Sequence, residues 1–581
     1  MFSEYYKREL NRLRELGRDF SRDYPVLAPM LSGATADADV ERLLEGVAFL
    51  TANINRKLDD EFPEILHTLM QMICPHYLRP VPAATLIAFI PNDNLSDVLR
   101  IPAGACIDSV PTDETACRFS TCTDVDIAPL KLTRTSLAEQ RTRGVNVDQL
   151  EIRLDFELAG MSVSSWNADT LRLHLAGDYQ GASELYFLLC HHLRSLSVAC
   201  GNAAAPVRLA PDQLRPGGFG ANDALLPYPP NVIPSFRLIQ EYFLFPEKFM
   251  FLDIDLSQWK NRGSESRFSL SFICSVPPFE IPKIRQEHFI LFAVPAVNLF
   301  PHDADPVLMD HHENEIPILS AEMGRKTYEI FSVDSVAGFV RGTTQKRDFV
   351  PLAEFSPETR DRPVYHTVFR PSTVDGQTDI CLAVAYPAGE HLPDAEIITT
   401  QLTCTNGKLP DMLQTGDICK PTSNTPELVS FRNIRPPTAS QAPPAEGDLL
   451  WHLLSHLSVN YLSVASTDTL KSLLQFYQFP GGRDRPRELA NRKRIDSLLE
   501  VSVTPEERLF GRAVYRGQAI RIKSRHDHYA SIGDMYLFGS ILDYFLGSYA
   551  SINTYTSLTF EDVMRGEFIR WPARLGTRPL L

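Results

Sequence analysis

Seven residues within twelve positions carry the atoms a metal centre would use: His302, Asp303, Asp305, Asp310, His311, His312 and Glu313. Imidazole nitrogens and carboxylate oxygens bind zinc or non-haem iron, and a metal-activated water can hydrolyse a substrate. A metal-dependent hydrolase built on residues 302–313 is therefore the enzymatic reading this chain offers. Pro301 and Pro306 interrupt the run, and it follows an apolar stretch. Aspartates and histidines in such a setting bond nearby backbone N–H groups, so the expectation is a polar structural loop.

The rest of the chemistry is sparse. There is no GxxxxGK[ST] phosphate loop, no GxSxG elbow and no HExxH helix. The glycines of Gly217, Gly218 and Gly220 lie among prolines and read as a turn. His526 and His528 flank Asp527 in what reads as a loop, and His191 and His192 have no carboxylate close by in sequence. Ten cysteines include no CxxC pair, which reads as reduced, mostly buried thiols rather than a zinc site. No catalytic residue, metal or cofactor is expected.

The elements that would hold these groups change character along the chain. Between about 85 and 405 the dominant period is two. Leu150, Ile152, Leu154, Phe156 and Leu158 alternate with Glu151, Arg153, Asp155 and Glu157, the pattern of a strand with one wet face. Similar runs, separated by Pro- and Gly-containing turns, predict antiparallel sandwich or barrel-like domains. A Pro-rich connection at 434–446 precedes helical patterns, one starting at Asp448 and one carrying Leu470, Leu473, Leu474 and Tyr477. The basic stretch 483–494 reads as a solvated loop and helix face. The acidic chain, with net charge −15, argues against nucleic-acid binding. At the end, strands at 519–523, 555–560 and 567–571 and an all-round apolar helix at 536–549 predict an α+β module.

The first eighty residues read as three short amphipathic helices punctuated by proline. Phe2, Tyr6, Leu13, Leu16 and Phe20 share one face of the first, opposite Lys7, Arg8, Arg12 and Arg18. The second carries Val40, Leu43, Leu44, Val47 and Leu50, and the third opens at Pro63. Aromatic side chains bury much area at little rotamer cost. The candidate partner interface is accordingly Phe2, Tyr5, Tyr6, Leu13, Leu16 and Phe20.

The blocks YYKREL, LAPMLSG, DADVERLLEGVAFLTA, KLDDEFPEI and PHYLRP resemble the N-terminal signature of the TssF family, baseplate subunits of the bacterial type VI secretion system. VPAVNLFPHDADPVLMDH (294–311), YEIFSVDSVAGF (328–339) and LTCTNGKLP (402–410) resemble its middle. The stretches 534–560 and 565–581 resemble its end. The order is kept across the chain. The resemblance implies a structural wedge protein, not an enzyme. Its expected partners are TssG, a second TssF copy, TssK and other baseplate, sheath and tube components. It would work in the cytosol at a membrane-docked apparatus, without inserting in the membrane.

Composition agrees. A chain of 581 residues, at about 150 per domain, holds three or four domains. The 44% hydrophobic content suffices for their cores. No secretory signal is visible, and no apolar run reaches the roughly 20 residues of a membrane span. The expected architecture is multidomain α+β: a helical arm (1–82), two β-rich domains (83–215 and 216–435) and a C-terminal α+β domain (436–581). The rivals are the hydrolase above and a carbohydrate-binding β-sandwich, which would need an exposed aromatic platform.

Overall fold

The computed structural model describes residues 75–140, 149–201, 206–228, 234–310, 315–319, 327–340, 346–371, 378–387, 395–422, 427–442, 466–478, 484–511 and 513–576. It also describes 6–16 (except 8 and 15), 39, 42–53, 68–71, 312 and 425. The fold is mixed α+β, with most strands antiparallel.

The main body is built on three sheets. The strand Gln149–Leu158 alternates buried and half-buried side chains without a break, as its period of two requires. It is flanked by Leu130–Gln140 and Arg267–Ser275 in a five-stranded sheet. A four-stranded sheet pairs Thr170–Leu175 with Phe251–Asp255 and Phe289–Leu291. A six-stranded sheet places Ala293–Val297 beside Ala84–Pro91, and that strand beside Val429–Asn433. Strands from either side of residue 216 thus share sheets.

The chain leaves this body after Ala293–Val297 and returns after Glu396–Thr405. Between the two it forms an eight-stranded sheet, from Phe300–Asp303 to Glu396–Thr405, with its own core around Val336, Phe349, Leu382, Ile398 and Leu402. Phe300 pairs with Cys404, so the outgoing and returning strands run side by side.

The C-terminal part pairs a long hairpin, Leu498–Phe510 with Ala513–Ser524. Its second strand then runs parallel to Thr554–Asp562, joined through the helix Ile532–Gly547. Parallel neighbours need such a crossover. Nearly every residue of that helix is buried, as its unbroken apolar pattern demands. It packs across the helix Tyr179–His191 of the body, and the two parts share one continuous core. The approach is close because Gly533 lies against the Ser183 carbonyl.

Candidate functional site

The seven metal-type residues are not gathered. His302 and Asp303 belong to the strand Phe300–Asp303, facing Leu402 and Gln401, rather than to a free loop. The Asp310 carboxylate accepts the His312 backbone N–H at 3.1 Å, a local turn bond. His311 and Glu313 lie outside the described residues. Among the described residues, no three His, Cys, Asp or Glu side chains come together as a metal would need. His526 and His528 sit in a 3-10 turn rather than a strand; His526 meets Asp562, and His528 meets the Lys493 carbonyl at 2.9 Å. His191 and His192 belong to an aromatic cluster with Phe187 and Tyr536, His191 stacked on Phe187 and His192 edge-on to it. Gly217–Gly220 is a turn, with Gly218 at φ +91°, a conformation glycine adopts without strain. The nine described cysteines are free thiols.

The strongest electrostatics are enclosed and structural. On the helix Ser235–Leu244, Glu241 is fully buried and pairs with both Arg237 and Lys248, while its Oε1 accepts the backbone N–H groups of Leu225 and Leu226. Burial pushes the Lys248 ammonium below its ordinary pKa, and the Glu241 charge opposes that. Arg172 bridges Asp223 and Asp253 beside them. Buried, paired ions of this kind fix the geometry of the elements that carry them. The basic stretch bears out the sequence reading at Arg485, Arg492 and Lys493, which are exposed, but not at Arg494. It forms the helix Arg485–Asp496, of which Asn491 and Arg494 are buried: Asn491 holds the Phe243 carbonyl at 2.9 Å and Arg494 is paired with Asp534.

Apolar surface is what remains exposed. Of the candidate arm residues, Tyr6 and Leu13 are half-buried and Leu16 is 56% exposed; Phe2, Tyr5 and Phe20 lie outside the described residues. The helical stretch 42–53 is inverted relative to a simple covering helix. Its small residues Ala48 and Ala52 are fully buried, while Leu43 (70% exposed), Val47 (40%) and Leu50 (63%) form an outward stripe at spacings of four and three. A second row crosses three strands of the eight-stranded sheet: Leu308 stands opposite Ile397, and Ile397 opposite Phe339, all exposed. The row lies seven residues along Glu396–Thr405 from Cys404, where the outgoing strand pairs.

Two joints stand behind these surfaces, and sequence reasoning missed both as joints. The first is the neck. Asn298 Nδ2 donates to Asn406 Oδ1 at 2.8 Å, and the Asn406 backbone N–H returns a bond to Asn298 Oδ1 at 2.7 Å. Thr405 Oγ1 donates to the same Asn298 oxygen, and the Arg118 N–H to Asn406 Oδ1. The second joint is 75–79, within PHYLRP. Tyr77 OH donates to the Phe476 carbonyl at 2.7 Å, His76 stacks with Tyr477, and Arg79 lies 5.2 Å over the Phe331 ring. The only signal available in sequence was that PHYLRP, VPAVNLF and LTCTNGKLP were long matches to one family.

Enclosed ion pairs and rows of exposed apolar side chains are the features of a structural assembly subunit. The comparisons name the family. The profile described as "Type VI secretion system, TssF" matches residues 1–578. The Type VI secretion system component TssF1 of Pseudomonas aeruginosa is 30% identical over 626 aligned positions, spanning 100% of this chain and 99% of that protein. A chain in a TssK-TssF-TssG baseplate subcomplex of the type VI secretion system superposes with a TM-score of 0.78 at 29% identity, over 92% of this chain and 98% of that one. A chain of a type VI secretion baseplate complex matches with a TM-score of 0.61 at 25% identity, over 100% of both. This chain belongs to the TssF family of type VI secretion. It is a structural baseplate subunit, not an enzyme. Among the described residues, no helix is long and apolar enough to cross a membrane.

Proposed function

We propose that the chain is a wedge subunit that joins TssG, a second TssF copy and TssK through its N-terminal arm. Through that wedge it supports the other baseplate, sheath and tube components. The contact set is Phe2, Tyr5, Tyr6, Leu13, Leu16 and Phe20, extended by the stripe of Leu43, Val47 and Leu50. The observation that carries this reading is the stripe: three large apolar side chains face outward from a helix whose alanines face inward. Apolar area is worth about 25 cal/mol per Å² when it leaves water, so a helix presented this way gains most by packing against other helices. The same reading divides the chain into the arm (1–82), a body and an outlying sheet between its two crossings, and a C-terminal module after the Pro-rich connection. It assigns the protein to the cytoplasmic side of an apparatus docked on the inner membrane.

The test is co-purification with TssG. Leu43→Lys with Leu50→Lys should abolish retention while leaving the thermal midpoint near wild type. Two buried leucines contribute about 3 kcal/mol or more, roughly a hundredfold in affinity. Undiminished retention by the double variant overturns the assignment.

A further inference from the structure

The stretch where the arm meets the body touches three parts of the molecule within ten residues. Met70 is fully buried in the main core. The next residue, Gln71, donates from Nε2 to both the carbonyl (2.8 Å) and the hydroxyl (2.9 Å) of Thr367, on the strand Val364–Pro371 of the eight-stranded sheet. Tyr77 holds the Phe476 carbonyl of the C-terminal module. Arg79 lays its guanidinium on Phe331, with Asp334 of the same strand supplying a nearby carboxylate. Phe331 and Phe369, both from the eight-stranded sheet, pack with the main core rather than with their own.

The eight-stranded sheet is therefore held by the neck at Asn298 and Asn406 and also by this stretch. A neck of two adjacent strands resists stretching but leaves bending about its own axis comparatively free, as hinges of a few residues do. A second contact off that axis removes the freedom. Gln71 and Arg79 supply it with groups suited to the purpose, a two-acceptor amide bond and a planar cation on an aromatic face.

We propose that Gln71 and the turn 75–79 form a tie-bar that sets the angle of the eight-stranded sheet against the body and couples that angle to the arm. The position of the arm and the direction in which the row Leu308–Ile397–Phe339 points are then one variable rather than two. A coupling of this kind is reciprocal: whatever pulls on the arm turns the sheet, and whatever seizes the sheet biases the arm.

The experiment measures the sheet's angle directly in the full chain. Spin labels are placed by unnatural amino acids at exposed Lys131 on the body and exposed Lys346 on the sheet, and their separation is read by pulsed electron resonance. Wild type should give one narrow distance distribution. Gln71→Ala with Arg79→Ala should shift and widen it, with the far-ultraviolet dichroism unchanged. Should the double variant fold poorly, Gln71→Glu and Arg79→Lys, each milder, should widen it in the same sense. A distribution unchanged by the tie-bar variants, or one widened only by Asn406→Ala in the neck, overturns the proposal. No partner is present in the measurement, so its failure is distinct from a failure of arm docking.

Discussion

Arg494 and Asp534 form an ion pair closed off from water, with the Nε and Nη2 of the guanidinium both 3.0 Å from Oδ2. The other carboxylate oxygen accepts the hydroxyls of Tyr179 at 2.7 Å and Tyr242 at 3.0 Å, whose rings lie about the guanidinium. Asp534 occupies the first turn of the helix Ile532–Gly547, where the helix dipole favours negative charge. One carboxylate thereby joins three other helices to its own, and the Arg494 side chain is held firmly protonated.

Removing one partner strands the other. Asp534→Asn keeps the shape and leaves the guanidinium buried without its counter-charge, which costs about 3–5 kcal/mol. Urea unfolding should show that loss. A midpoint close to wild type would mean that apolar packing alone holds these helices.

Helix contact at Gly533 gives a sharper steric test. A methyl group there would fall inside the contact distance of the Ser183 carbonyl and the Glu184 N–H, both backbone atoms that cannot rotate away. Gly533→Ala should destabilise by about 1–3 kcal/mol. Gly46, on the helical stretch 42–53, has nothing within 4 Å of such a methyl, and Gly46→Ala should gain up to about 1 kcal/mol of helix propensity. Thermal melts of the two variants should move in opposite directions.

Acid sensitivity has a named contributor. His174 is fully buried, with one ring nitrogen 3.2 Å from the Glu247 carbonyl. Burial pushes its pKa down to about 3, and the nearby Arg435 charge adds to this. The unfolded chain, with an ordinary histidine pKa of about 6.5, binds a proton that the folded chain refuses. Stability is therefore complete above that value and declines as pH falls toward 3. Between pH 7 and pH 5 the loss from this group is about 2 kcal/mol. His174→Gln should flatten that part of the stability–pH curve, measured by urea midpoints at the two pH values; an unchanged slope would remove His174 as the cause.

Asn406→Ala leaves two donors, the half-buried Arg118 N–H and the buried Asn298 amide, without the oxygen they now share. Each buried unsatisfied group costs about 1–3 kcal/mol. Hydrogen exchange at the Arg118 amide should accelerate, and exchange that stays slow would show that the neck does not depend on this bond.

How much of this was readable depended on how local each interaction is. Gln149–Leu158 was legible because a half-buried strand writes its two faces into alternate residues, and Ile532–Gly547 because a fully enclosed helix is apolar on every side. Leu470, Leu473 and Leu474 were read as a helix and are buried on Thr467–Phe476. Arg494 was misread as solvated because its partner lies 40 residues away, and a buried arginine without a visible counter-charge looks like a surface one. Asn406 precedes Gly407, and an Asn-Gly pair signals only a turn. Its role needs Asn298, 108 positions earlier, and nothing in either neighbourhood announces the other. The helical pattern expected from Asp448 falls outside the described residues.

Because Phe300 and Cys404 run as neighbours where the chain departs and comes back, the hundred residues between them enter and leave the body at one place. Such a module can grow, shrink or be exchanged over evolutionary time without shifting the register of a single strand in the sheet it springs from.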